Sequence, residues 1–184
     1  MMHKYLEIYY FIDKFDFKEL SKINKKINII FRDYKTKINE NEILKTRYFC
    51  KKKGFYLFLA NNMKLAIKLD LNGAYIPAFN RKLNYKNINC SKNFKILGSA
   101  HNSMEIKIKE KQNCEKIFIS PIFQTEKNKN FLGTIKFNLL ANQTKKGIIC
   151  LGGIKAENLK KIRLTKSEGI GSISWIKKNG LNKI

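Results

Sequence analysis

Short apolar runs recur along this chain at intervals of about twenty to thirty residues, separated by polar stretches with helical spacing. The runs predict strands at Leu6 to Ile12, Ile27 to Arg32, Phe55 to Leu59, Gly73 to Pro77, Phe94 to Gly98, Ile117 to Ser120, Ile148 to Leu151 and Ile170 to Ser174. Several show no polar alternation, the pattern of parallel strands covered on both faces. Between them, Asn41 to Lys53 and Asn61 to Leu69 each gather their apolar residues on one side. Asn102 to Lys111 opens with a polar cap and a first-turn glutamate, Leu132 to Asn142 and Ala156 to Lys166 add two helices, and Phe17 to Ile23 is a short one. The stretch Arg81 to Asn93 lacks a helical pattern and reads as loop. Eight strands alternating with helices predict a single domain over residues 1–184, an α/β (β/α)8 TIM barrel. It is compact for that architecture, and the eight residues from Lys177 to Ile184 leave a last helix that is short or absent. The sequence does not say whether the N-terminal segment or a neighbouring subunit of a homo-oligomer takes that helix's place.

Composition changes this picture in one respect. With 38 Lys and Arg against 14 Asp and Glu, the formal net charge is +24. That raises a nucleic-acid partner as a second class of function. Only Arg32, Arg47, Arg81 and Arg163 are arginines, and they are scattered, whereas base readout leans on clustered arginine forks. A solvated lysine surface is the preferred reading, with no specific nucleic acid among the partners. The cysteines, Cys50, Cys90, Cys114 and Cys150, form no CxxC pair, so a reduced thiol set without zinc is expected. No apolar run reaches the ~18 residues of a membrane span, and Met1-Met2-His3-Lys4 does not read as a targeting segment, which together predict a cytoplasmic chain with no membrane partner.

In such a barrel the chemistry gathers at the carboxyl ends of the strands. The seventh strand ends in Gly152-Gly153, whose bare N–H groups suit an anion, and the eighth in Ser174, a hydroxyl donor that completes a phosphate cradle. Arg32 and Asp33 follow the second strand, Asn61 and Asn62 the third, and Asn80 the fourth. Ser99 and His101 close the fifth, with Thr125, Lys127 and Lys129 after the sixth. Each has a plainer reading beside it. Arg32 suits a diphosphate, or an ion pair with Asp33 or Glu40; His101 suits acid–base work, or merely caps the following helix or closes a hydrogen bond. The two lysines suit phosphate or solvent, and the glycines suit phosphate or close packing. Trp175, Tyr34, Tyr75 and Phe79 are aromatics that suit stacking on a heterocycle, or the core, which claims most aromatics.

Three segments in order, Ile96-Leu97-Gly98-Ser99-Ala100-His101, Ser120-Pro121-Ile122-Phe123-Gln124-Thr125 and Leu151-Gly152-Gly153-Ile154, resemble motifs of the thiamine-phosphate synthase and TenI family. The resemblance implies a transferase that joins a hydroxymethylpyrimidine diphosphate to a thiazole phosphate, releases pyrophosphate and uses Mg2+. It implies that Arg32 and Ser99 meet the diphosphate and that Thr125 and the adjacent backbone hold the thiazole phosphate or the product; the family's following Thr-Lys pair falls on Lys127 and Asn128, with Lys129 one place beyond. Gly152, Gly153 and Ser174 would cradle a phosphate. His101 is the imidazole available for catalysis. The family's two metal-binding aspartates fall on Asn61 and Asn80, leaving Asp33 as a substitute carboxylate, and its Arg-x-Lys lysine falls on Tyr34. A divergent homologue that binds thiamine-related phosphates without the coupling chemistry is the alternative this departure raises.

Overall fold

The computed structural model describes residues 6–23, 25–34, 39–83, 90–126, 128–172 and 176. Eight parallel strands close on themselves in sequence order: β1 (Glu7–Ile12), β2 (Asn28–Phe31), β3 (Tyr56–Ala60), β4 (Gly73–Ile76), β5 (Lys95–Ala100), β6 (Lys116–Ile119), β7 (Gly147–Leu151) and β8 (Gly169–Ser172). The ring is completed by β8 pairing with β1, Ile8 opposite Ile170. The helices are α1 (Phe17–Ser21), α2 (Glu40–Lys53), α3 (Met63–Lys68), α4 (Ser103–Lys111), α5 (Gly133–Ala141) and α6 (Leu159–Ile162). This is the predicted (β/α)8 barrel.

The strands are apolar on both faces because each face has a different layer to bury. Alternation along a strand sends successive side chains to opposite sides. Tyr9, Phe11, Ile30, Phe58, Ala60, Tyr75, Leu97, Phe118 and Ile149 form one buried cluster inside the ring. Their neighbours, among them Ile8, Tyr10, Ile29, Leu57, Ile117 and Ile148, join a second cluster with helix residues such as Ile43, Phe49, Ile106 and Phe137. The strands are only four to six residues long, and large rings fill the space they enclose. Tyr9 packs edge-on against Phe118 at 4.9 Å between centroids, and Tyr75 against Phe118 at 5.4 Å.

The sequence places the helix starts within one or two residues, because the caps are local. Asp16, Asn39, Asn62 and Asn102 each accept a backbone N–H with a side-chain oxygen at the start of α1, α2, α3 and α4. Asn62, expected at the mouth, is thus a cap. The main difference is at Ala156 to Lys166: a 3-10 turn (Ala156–Asn158) leads into the four-residue α6 in place of one longer helix. The Asn158 side chain bonds Lys155 N–H (2.9 Å) and the Gly153 carbonyl (2.8 Å), committing that turn to local contacts. No helix is described between β4 and β5, in keeping with the patternless Arg81 to Asn93, of which residues 84–89 lie outside the described residues. The segment expected to hold a short or absent last helix, Lys177 to Ile184, also lies outside them.

The bottom of the barrel is closed by charge. Lys116 Nζ meets Glu7 at 2.5 Å and Glu168 at 3.0 Å, and the Tyr9 hydroxyl donates to Glu7 at 2.7 Å. Burial alone would lower the Lys116 pKa, but the two carboxylates override it and hold the ammonium above its ordinary value. A group raised in the folded state stabilises fully below its unfolded pKa and stops doing so only as the pH rises through the raised value. Lys116→Met should therefore cost about 1–2 kcal/mol, equally at pH 7 and pH 9. Urea unfolding at the two pH values checks this; a cost that fades by pH 9 contradicts the pairing.

Candidate active site

At the carboxyl end of the barrel, β2 delivers Arg32 over the aromatic floor. Its guanidinium carbon lies 4.9 Å from the Phe11 ring centroid and 5.9 Å from that of Tyr34. Arg32 pairs with no carboxylate among the described residues, and Glu40, one suggested partner, is bound to Lys68 at 3.1 Å. The arginine is thus held by π-faces with its donors left for a ligand. Tyr34 packs edge-on against Phe79 at 5.6 Å, joining the β2 and β4 ends, and both rings are substantially exposed. The half-exposed Tyr34 is still partly desolvated, which pushes its hydroxyl up to about 12 against the pull of Arg32, so it remains a donor at neutral pH. Tyr75, expected to stack on a heterocycle, instead lies buried below in the barrel's inner cluster, where the core reading is met; burial raises its pKa, with Ser99 beside it at the end of β5.

Asn61 and Asn80 come together. Asn80 Nδ2 donates to Asn61 Oδ1 at 2.7 Å, and Asn80 Oδ1 accepts the Lys82 N–H at 3.0 Å. Asn61 sits at φ 58°, a left-handed position asparagine tolerates, with its N–H on the Tyr75 carbonyl. His101 is held through its ring: Nδ1 lies 2.8 Å from the Ser120 carbonyl and 3.2 Å from Ser120 Oγ. A carbonyl only accepts, so Nδ1 carries the proton and Nε2 is the acceptor of the neutral ring. The cap of α4 is Asn102, so His101 does not serve as one.

The ends of β6 and β7 form one locked unit. Ile122 N–H bonds the Leu151 carbonyl (3.0 Å) and Phe123 N–H the Gly152 carbonyl (3.2 Å). Gly152 and Gly153 have φ of 93° and 69°, and a Cβ on Gly153 would stand 2.4 Å from the Phe123 carbonyl oxygen. The packing reading of the glycines is therefore met. The anion reading is met as well, since neither N–H has an acceptor among the described residues. Thr125 turns inward to its own loop, its hydroxyl accepting the Asn128 N–H at 3.0 Å. Lys129 is exposed, while Lys127, Ser174 and Trp175 lie outside the described residues.

No sequence motif marks Lys109 of α4 or Gln112, the residue that caps its C-terminal end. The Lys109 ammonium is buried and donates to the carbonyls of Pro77 (2.8 Å) and Asn80 (2.9 Å) and to Gln112 Oε1 (2.9 Å). Gln112 Nε2 donates to the carbonyls of Asn80 (2.9 Å) and Lys82 (2.8 Å). The pair grips the loop that carries Asn80 and Phe79. Nothing in the sequence singles out one lysine among so many.

A sequence model described as Thiamine monophosphate synthase matches residues 23–176. The chain belongs to that family. It is 27% identical over 151 residues to a thiamine-phosphate synthase of Prochlorococcus marinus subsp. pastoris, covering 79% of this chain and 41% of the relative. A second thiamine-phosphate synthase, from Prochlorococcus marinus strain AS9601, is 25% identical over 166 residues, covering 86% and 42%. The chain thus spans about two fifths of the length of these curated relatives. Among solved structures, a thiamine phosphate pyrophosphorylase from Pyrococcus furiosus superposes with a TM-score of 0.75 at 17% identity, over 100% of this chain and 92% of that one. That likeness bears on the fold.

The family implies Mg2+, and the residues present do not fit a carboxylate site for it. Its two expected positions are amides bonded to each other. Asp33, the substitute carboxylate, joins no group of three or more His, Cys, Asp or Glu side chains suited to a metal among the described residues. No helix among those residues is long and apolar enough to cross a membrane.

Proposed function

We propose that this chain binds a hydroxymethylpyrimidine diphosphate and a thiazole phosphate at the barrel mouth and couples them to thiamine phosphate. The observation that supports the reading is a pair of separate strand ends that each present donors without partners among the described residues. Arg32 at β2 has no carboxylate partner, and the Gly152–Gly153 N–H groups at β7 have no acceptor, among the described residues. They stand three strands apart round the ring, with the rings of Phe11, Tyr75 and Tyr34 on the Arg32 side.

In this reaction the C–O bond to the diphosphate breaks and pyrophosphate leaves with the electron pair. The thiazole nitrogen lone pair then forms a C–N bond to the pyrimidine methylene. Arg32 would neutralise charge on the leaving group, where charge-assisted bonds are strongest. The aromatic faces suit a methylene carbon that turns cationic as the diphosphate departs. The glycine N–H groups would hold the thiazole phosphate, which does not react, and so fix its distance from that carbon. The Tyr34–Phe79 pair offers a face to the heterocycle. Ser99 and His101 stand at the β5 end as donor and acceptor.

Incubating the protein with both substrates and assaying thiamine phosphate tests this directly. Arg32→Gln should lower kcat/KM by roughly 30-fold, about 2 kcal/mol of charge-assisted bonding. Absence of product from the unsubstituted protein at high enzyme concentration overturns the synthase reading.

A further inference from the structure

The ends of β3 and β4 are tied together by an amide–amide hydrogen bond. Asn80 Nδ2 and Asn61 Oδ1 are 2.7 Å apart, and the remaining oxygen of Asn80 is taken by the Lys82 N–H. From beneath, the buried Lys109 ammonium and Gln112 amide both bond the Asn80 carbonyl, at 2.9 Å each. The cation that organises this rim is therefore a side chain, fixed by covalent attachment to α4 and unable to leave with a product.

We propose that Asn61 and Asn80 form a latch, braced by Lys109 and Gln112, and that this chain takes its diphosphate ligand as a free anion, without a protein-bound divalent cation. The inference rests on the reading above that the mouth binds a diphosphate. Its chemical basis is the donor set. A divalent cation shared between protein and diphosphate needs carboxylates to make up for lost hydration. An amide supplies a carbonyl without charge, and the Asn61 carbonyl is already accepting a hydrogen bond. The anion's charge is instead met by Arg32, which carries no competing carboxylate among the described residues. The strongly basic chain, at +24, lowers the cost of gathering that anion without a counter-ion.

The test is calorimetric titration of the full chain with inorganic pyrophosphate, once in EDTA and once in excess Mg2+, followed by Mn2+ titration read by electron paramagnetic resonance. The expected result is pyrophosphate affinity in EDTA at least equal to that in Mg2+, with no protein-bound Mn2+ signal. The double variant Asn61→Asp/Asn80→Asp restores two carboxylates and should bind Mn2+ at least tenfold more tightly than the unsubstituted chain. Pyrophosphate binding that appears only with Mg2+, or an Mn2+ signal from the unsubstituted chain, overturns this inference and leaves the diphosphate reading standing. No pyrophosphate binding under either condition overturns both. The unsubstituted chain alone gives the decisive comparison if the double variant does not fold.

Discussion

Lys109→Met should lower the unfolding free energy by about 3 kcal/mol, more than any other single lysine substitution in this basic chain. Methionine fills a similar volume, so the loss reports the ammonium and not a cavity. Three acceptors, the Pro77 and Asn80 carbonyls and Gln112 Oε1, lose a donor at 2.8 to 2.9 Å. Gln112 Oε1 is left without one among the described residues, at about 1–3 kcal/mol, while the Pro77 and Asn80 carbonyls keep the Asn80 N–H and Gln112 Nε2 and lose only the charged donor; the loss is offset in part because a buried charge is removed with it. The lysine ties down the loop that leaves β4, where the Asn80 N–H on the Pro77 carbonyl is the one local backbone bond among the described residues and no helix is described.

Burial holds the Lys109 ammonium down to about 8, with Cys114 and Glu105 pulling the other way. The sign of the pH effect follows. Between about pH 8 and the ordinary lysine value of ~10.4, the unfolded chain binds more protons than the folded one, so stability from this site rises with pH. The gap between the unsubstituted chain and Lys109→Met should widen from pH 7 to pH 9.5. Urea unfolding at both values checks it. A loss below about 1 kcal/mol at pH 7 would mean that the carbonyls find other donors.

Gly153→Ala should cost about 3 kcal/mol and, on the proposed function, abolish the binding of a phosphate at β7. Two effects add. At φ 69° an L side chain is strained by roughly 1–2 kcal/mol. The new methyl would also stand 2.4 Å from the Phe123 and 2.5 Å from the Gln124 carbonyl oxygens, both rigid backbone. Relief requires the loop after β6 to lift from β7, which breaks the Phe123–Gly152 bond and moves the N–H groups offered to an anion. Gly54→Ala is the control: φ is 68°, but nothing lies within 4 Å of the added Cβ, so only the backbone strain should appear. Thermal unfolding with and without inorganic phosphate separates the outcomes. Equal costs at Gly153 and Gly54 would show that the close approach carries no weight.

How far the mouth could be read from sequence varies with the range of the interaction. The strands were legible because a parallel strand covered on both faces is apolar throughout, and that pattern needs no knowledge of its neighbours. The helix starts were legible because Asn39 and Asn102 bond N–H groups within three residues. Asn61 and Asn80 could be picked out as positions, yet their bond spans nineteen residues and depends on two strand ends meeting. His101 could be named, but its tautomer is set by the Ser120 carbonyl at the end of the next strand. The shortened α6 was not legible, since the contact of Asn158 with the Gly153 carbonyl reaches back into the preceding turn.

By itself, then, the sequence determined the barrel, its strand order and the small set of polar residues at its carboxyl ends. Periodicity and capping are properties of neighbours in the chain. The tertiary structure alone decided which of those residues are already satisfied and which remain open. It closed Asn61 on Asn80, turned Thr125 into its own loop, and left Arg32 on its aromatic floor and the Gly152–Gly153 N–H groups without partners among the described residues. It also drew Lys109 from the crowd of lysines, because a buried ammonium is distinguished only by the carbonyls that fold around it.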